Sequence, residues 1–188
     1  MKSVMQHRFS DVPNVELPRS TFNRSAGYKT TFDAGYLVPI FVDEALPGDS
    51  FRVNMAGFAR LSTPTFPVMD NMFLDTFFFA VPNRLIWENW QKFCGEQVDP
   101  GDSIDYTVPI VNDLNNAGNE TIFDYFGLPT KVAAVYEFNA LPLRAYNLIY
   151  NEWFRDENLQ DSVTVNKDDG PDTNTDYALL RRGKRHDY

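Results

Sequence analysis

The chain has 188 residues, 43% of them hydrophobic and 15% aromatic, with 16 phenylalanines and a formal charge of −9. That hydrophobic share excludes wholesale disorder, and the length suits one domain or part of a larger one. The acidic balance excludes a surface that coats nucleic acid as a whole and leaves room only for a local basic patch.

Residues 1–28 read as an extended N-terminal arm. Pro13 and Pro18 interrupt it, apolar periodicity is absent, and Arg8, Arg19 and Arg24 make it mildly basic. Such an arm is either a flexible terminus or a strap across a neighbour. The opening residues lack the apolar core of a signal peptide. The longest dense apolar run, Phe77 to Val81, is far too short to span a bilayer. We therefore expect synthesis in a cytoplasm, no export by the usual route and no membrane insertion.

Residues 29–82 carry strand patterns. Tyr36 to Val42 is strand-like, but Pro39 cannot donate to a ladder and places it at an edge or a bend. From Phe51, the apolar Phe51, Val53, Met55 and Leu61 alternate with Arg52, Asn54 and Arg60, as in a half-buried strand. Met72 to Pro82, MFLDTFFFAVP, is apolar at almost every position, the pattern of a strand buried on both faces. Phe77, Phe78 and Phe79 are expected inside the core.

Residues 83–188 contain the helices. Asn83 is placed to cap a helix with the stripe Ile86, Trp90, Phe93 and Cys94, stopped by Gly95. Ile104 to Val111 alternates as a strand, and Thr121 to Phe126 reads as a short helix with Thr121 and Asp124 spaced as a capping box. Lys131 to Phe138 is a strand or a loop. Asn139 caps the longest helix, with Pro142 in its first turn and Leu143, Tyr146, Ile149, Tyr150 and Trp153 on its apolar face, out to about Asn158. An acidic, polar stretch follows, and the chain closes on LLRRGKRHDY.

The tetrapeptide PGDS occurs twice, at Pro47–Ser50 and Pro100–Ser103. Gly-Asp-Ser can announce a hydrolase nucleophile, which needs a helix after it and a base nearby. Here a strand pattern follows each copy, and the two histidines, His7 and His186, lie at opposite ends. Both copies are expected to be turns, in which Pro sets φ and Asp bonds back to the backbone. The lone Cys94 permits no intrachain disulfide and reads as a buried helix thiol. No zinc spacing, GxGxxG or phosphate loop is present, so no catalytic, cofactor or metal residue is assigned and no enzyme is expected.

Long segments then point to a family. RSTFNRSAGYKTTFDAGYLVPIFVDEALPGDSF (residues 19–51) resembles the major capsid protein of the Microviridae, the gokushovirus branch in particular. The likeness continues through MDNMFLDTFFFAVPNRLIWENWQKFCGE, LPLRAYNLIYNEWFRDENLQ and the closing RRGKRHDY. The resemblance implies a subunit of a small T=1 icosahedral bacteriophage shell around circular single-stranded DNA. It implies a fold that is mainly β with inserted helices, a partial viral jelly-roll β-sandwich. Residues 29–82 would supply its early strands and residues 83–188 an insertion region. A jelly roll needs eight strands and the patterns above supply about four, so an N-terminal fragment of a longer protein is expected.

The implied partners are other copies of the chain, other phage structural proteins, packaged single-stranded DNA and a host surface receptor. Trp87, off the apolar stripe of its helix, and Trp153 are candidate subunit-interface anchors. Arg181, Arg182, Lys184 and Arg185 are candidate DNA contacts. The competing reading of that cluster is a solvated loop neutralised by Asp168, Asp169, Asp172 and Asp176. The rival function is a carbohydrate- or receptor-binding β-sandwich module.

Overall fold

The computed structural model describes residues 18–112, 118–130 and 136–182. Within them the chain is mostly non-helical, with one small mixed sheet and a few short helices. In chain order the regular elements are α1 (Trp90–Phe93), β1 (Ile110–Asn112), α2 (Ile122–Tyr125), β2 (Phe138–Asn139), α3 (Leu141–Ile149) and β3 (Asp172–Thr173). The sheet order is β2-β1-β3. β1 runs antiparallel to β2, with Ile110 opposite Asn139, and parallel to β3, with Val111 opposite Asp172.

Helix α3 organises the interior because it is apolar along two stripes. Ala140, Leu143 and Tyr146 face one cluster, with Val111, Ile122, Phe123 and Tyr177. Leu141, Ala145 and Leu148 face a second, with Ile86, Trp87, Trp90 and Val108. The spacings i, i+3, i+6 and i, i+4, i+7 put these stripes on neighbouring sides of a 3.6-residue helix. Arg144 and Asn147 lie between them, both buried.

The ends of α3 follow from local hydrogen bonds. Asn139 stays in the sheet, and its side-chain Oδ1 accepts the Leu141 N–H at 2.9 Å. Beyond Ile149 the helix widens into a π turn, Tyr150–Phe154, and leaves helical geometry at Arg155, short of the expected Asn158. Asn151 holds the returning chain there: it donates to the Val163 carbonyl at 2.7 Å and accepts the Val163 N–H at 2.9 Å.

The helix expected from Asn83 is divided. A 3-10 turn spans Asn83–Leu85, and α1 begins only at Trp90. The Glu88 N–H leaves the helical ladder to reach the Lys167 carbonyl at 2.9 Å, which breaks the run. Gly95 stops α1 as expected, at φ +98. Cys94 caps that helix and is exposed, not buried as expected. The capping box expected in α2 is displaced by one residue: Asp124 accepts the Glu120 N–H at 2.9 Å, while the Thr121 hydroxyl donates to Gly118 at 2.8 Å.

Residues 38–81 hold no regular element. The periodicity at Phe51 and Met72 marks a preference for strand, but a strand also needs a neighbour for its N–H and C=O groups. Among the described residues only an isolated antiparallel bridge, Tyr36 opposite Arg181, joins this half of the chain to another segment in β fashion. The aromatic run is therefore open, with Phe77 52% and Phe78 55% exposed, contrary to the expected burial.

Candidate assembly interface

The turn reading of PGDS holds in the geometry. At the first copy the Asp49 N–H closes onto Leu46 O at 3.1 Å, its Oδ2 accepts the Leu46 N–H at 3.1 Å, and Gly48 takes φ +86. At the second, Asp102 Oδ2 accepts the N–H groups of Val98 and Asp99 at 3.1 and 3.0 Å. These backbone donors hold the Asp102 carboxyl below its usual range. Each Asp carboxylate is occupied by its own turn. Among the described residues Ser103 Oγ accepts only the Asp105 N–H, at 3.2 Å, rather than meeting a base. No group of three or more His, Cys, Asp or Glu among them is arranged to hold a metal. No helix among them is long and apolar enough to cross a membrane.

The best-built polar site was not anticipated. The Arg144 guanidinium sits at the seam of the two clusters with no exposed side-chain surface. Its Nε donates to Asp172 Oδ2 at 2.7 Å and Nη2 to Oδ1 at 2.8 Å, while Nη1 reaches the Asp168 carbonyl at 2.9 Å. Asp172 also accepts from Asn166 Nδ2 at 3.0 Å and from the Tyr177 hydroxyl. Burial alone would raise the Asp172 carboxyl, but hydrogen bonds from Arg144, Tyr177 and Asn166 outweigh it and hold it below the ordinary value. Burial, with the Asp172 charge beside it, pushes the Tyr177 phenol far up. With its lone pairs and donors met, the node cross-links α3, β3 and the 86–87 turn, and leaves no group free for chemistry.

Trp87 proves to be a core residue, which corrects its assignment as an interface anchor. It is fully buried against Leu141, and its indole ring meets Trp90 edge-on at 6.0 Å and Phe93 at a tilt, 5.2 Å between centroids. Its Nε1–H donates to Asp169 Oδ1 at 2.5 Å, and Asn89 donates to the other oxygen at 2.7 Å. Helical spacing placed it off the stripe, but the broken helix turns it inward.

Trp153 lies on the opposite footing, 71% exposed on the π turn. Phe79 packs on it at 5.6 Å, and Phe154 touches both Phe79 and Phe77, at 5.9 and 5.4 Å. The result is an aromatic patch at the C-terminal end of α3, open to solvent.

The basic candidates are only partly described. Arg181 stacks on Tyr36, 4.5 Å above the ring centroid, and donates to its hydroxyl at 2.8 Å. Arg182 approaches Asp75 at 3.7 Å. Lys184 and Arg185 lie outside the described residues. Among the described residues the acidic run meets other partners: Asp168 and Asp172 meet Arg144, Asp169 meets Trp87, and Asp176 accepts from the Thr173 backbone at 2.7 Å.

Comparison with known proteins gives this surface its context. The family described as "Capsid protein (F protein)" matches residues 10–188. The chain belongs to this capsid family. It is 53% identical over 184 residues to "Capsid protein VP1" of Bdellovibrio phage phiMH2K, covering 97% of this chain and 34% of that protein. It is 48% identical over 210 residues to "Capsid protein VP1" of Chlamydia phage 1, covering all of this chain and 35% of the relative. "Capsid protein VP1" of Spiroplasma virus 4 is 31% identical over 196 residues, again covering 97% and 35%. The family resemblance read from residues 19–51 onward is thus the right one. The chain spans about a third of the length of these capsid proteins.

Proposed function

We propose that this chain is a structural part of a small icosahedral bacteriophage capsid enclosing circular single-stranded DNA, and that it acts by self-assembly. Beside the family membership, one observation supports the reading most: the run of apolar side chains left open along residues 38–81. Phe58 is 91% exposed, Phe66 80%, Met69 93% and Phe73 85%. A domain working alone rarely leaves so many large apolar side chains open, whereas a capsid subunit covers them once the strands these residues favour find their neighbours.

In this reading the strand patterns at Tyr36, Phe51 and Met72 are early strands of a jelly-roll sandwich, paired once neighbouring strands are supplied. Residues 1–28 form an arm, 29–82 the strands and 83–188 the inserted region. Trp153 anchors a subunit contact, and Arg181, Arg182, Lys184 and Arg185 face the packaged DNA. The site of action is the virion, after synthesis in the bacterial cytoplasm. Other phage structural proteins and a host receptor complete the partners. No step of this role needs catalysis.

The test is to express the gene product that carries this chain and to image it by electron microscopy. Closed symmetric shells are the expected product. A soluble monomer at every concentration would overturn the reading in favour of a stand-alone binding module.

A further inference from the structure

We propose that Phe22 of one copy of this chain docks in the cleft beside Trp153 of a second copy. Such docking rests on the assembly reading above and would be one of its contacts.

The cleft has a volume of about 140 Å³ and is walled by Phe79, Leu85, Leu148, Ile149 and Trp153, with Glu152 at its edge. A cavity of about 150 Å³ accepts one benzene ring. The opening thus has the size and polarity for a single aromatic side chain, the kind of anchor that dominates protein interfaces.

The arm presents such a side chain in a prepared form. Phe22 is 80% exposed. On one side Arg19 donates to the Gly48 carbonyl at 3.1 Å, and on the other Arg24 pairs with Asp43 at 2.6 Å. Asn23 Oδ1 accepts both the N–H and the hydroxyl of Ser25, at 3.0 and 2.6 Å, which fixes the turn after Phe22. Two tethers and an Asx turn hold the flanks while the ring between them stands open to solvent, so little ordering entropy remains to be lost on docking.

Charge favours the same match. Residues 19–24 carry two arginines and no acid; Arg24 is already paired with Asp43, whereas Arg19 meets only a carbonyl and keeps its charge for a partner. The cleft edge carries Glu152, which forms no salt bridge among the described residues. The exposed face of Trp153 is a further seat for a guanidinium. Among the described residues of one chain knob and cleft do not meet, and a second copy is the occupant whose ring size and charge match the cleft. The root of the arm is also fastened elsewhere: Tyr28 donates to the Tyr125 carbonyl and Tyr125 to the Thr31 carbonyl, both at 3.0 Å. That anchors it at α2, beside the other core cluster.

Two differently tagged copies of the chain test this, in a Cys94→Ser background. One carries Thr21→Cys on the arm and the other Arg84→Cys next to the cleft wall. A short bis-maleimide should join the two tags. Phe22→Ala should cut that product about tenfold or more, the scale expected for an interface anchor. Arg19→Glu should cut it as well, and adding Glu152→Arg on the partner should restore it. Helical circular dichroism should be the same in every variant, since both side chains are exposed. No product between tags, or a product indifferent to Phe22→Ala, overturns the proposal. Shells that form normally with Phe22→Ala would remove this contact and leave the capsid reading standing. An inter-copy product without shells would do the reverse.

Discussion

Arg144 grips Asp172 with two side-chain hydrogen bonds, at 2.7 and 2.8 Å, inside a seam where neither residue has more than 1% of its side chain exposed. A pair so placed is costly to halve. Arg144→Met leaves a buried carboxylate with only Tyr177 and Asn166 as partners, and should destabilise the fold by about 3–5 kcal/mol. Urea unfolding followed by circular dichroism measures it. The double variant Arg144→Met with Asp172→Leu should regain most of the loss, because no charge is then stranded. A double variant as weak as the single one would show that packing, not charge, is the cause.

The same carboxylate sets an acid limit. Its folded value lies below the ordinary 3.8, so its contribution is complete above that value and is lost as pH falls through the lower folded one. Stability should therefore drop steeply below about pH 4. Asp172→Asn should start less stable at neutral pH and show a shallower acid slope. Thermal melts from pH 7 to pH 2 read both.

Trp87 and Trp153 should part company. Trp87→Ala empties a fully buried site and removes one of the two donors to Asp169, and should cost about 3–5 kcal/mol of stability. Trp153→Ala, on an exposed ring, should change stability by no more than about 0.5 kcal/mol while reducing particle yield. A melt and a particle count on each variant decide the matter, and equal behaviour of the two tryptophans is the unwelcome result.

The basic end of the chain should report through salt. Changing Arg181, Arg182, Lys184 and Arg185 together to Gln should weaken binding of single-stranded DNA. It should also flatten the dependence of log K on log salt by about 0.7 for each phosphate no longer neutralised. An unchanged slope in fluorescence anisotropy would take these residues away from the DNA.

The sequence made some of this legible and hid the rest, for identifiable reasons. Turns and helix stops were readable because they are local: PGDS and Gly95 act within four residues of themselves. The family was readable because long segments of unusual composition carry it. Trp87 was misjudged because its environment depends on a break in the helix, imposed by the carbonyl of Lys167 from a distant part of the chain. Arg144 and Asp172 were missed for the same reason, being 28 residues apart. The one available clue was a charge flanked by Leu141, Leu143, Ala145 and Leu148 on a helix otherwise read as apolar. The strand periodicity of residues 51–82 told which conformation those residues favour, but pairing is a property of neighbours.

The Tyr146 hydroxyl donates to the Leu37 carbonyl at 2.9 Å and accepts the Leu180 N–H at 3.0 Å, beside the direct Leu37–Leu180 bond of 3.0 Å. Burial pushes this phenol up to about 12, so the latch stays protonated through the whole physiological range. The two segments it ties lie far apart in sequence: their neighbours Tyr36 and Arg181, joined at the same seam, are 145 positions apart. Closing a loop of that length is the slowest kind of contact to reward during folding, since its entropy must be lost before any bond is gained. The join should consequently form after the α3 clusters and open before them, so that a ribosome must have released nearly all of these residues before the two ends can meet.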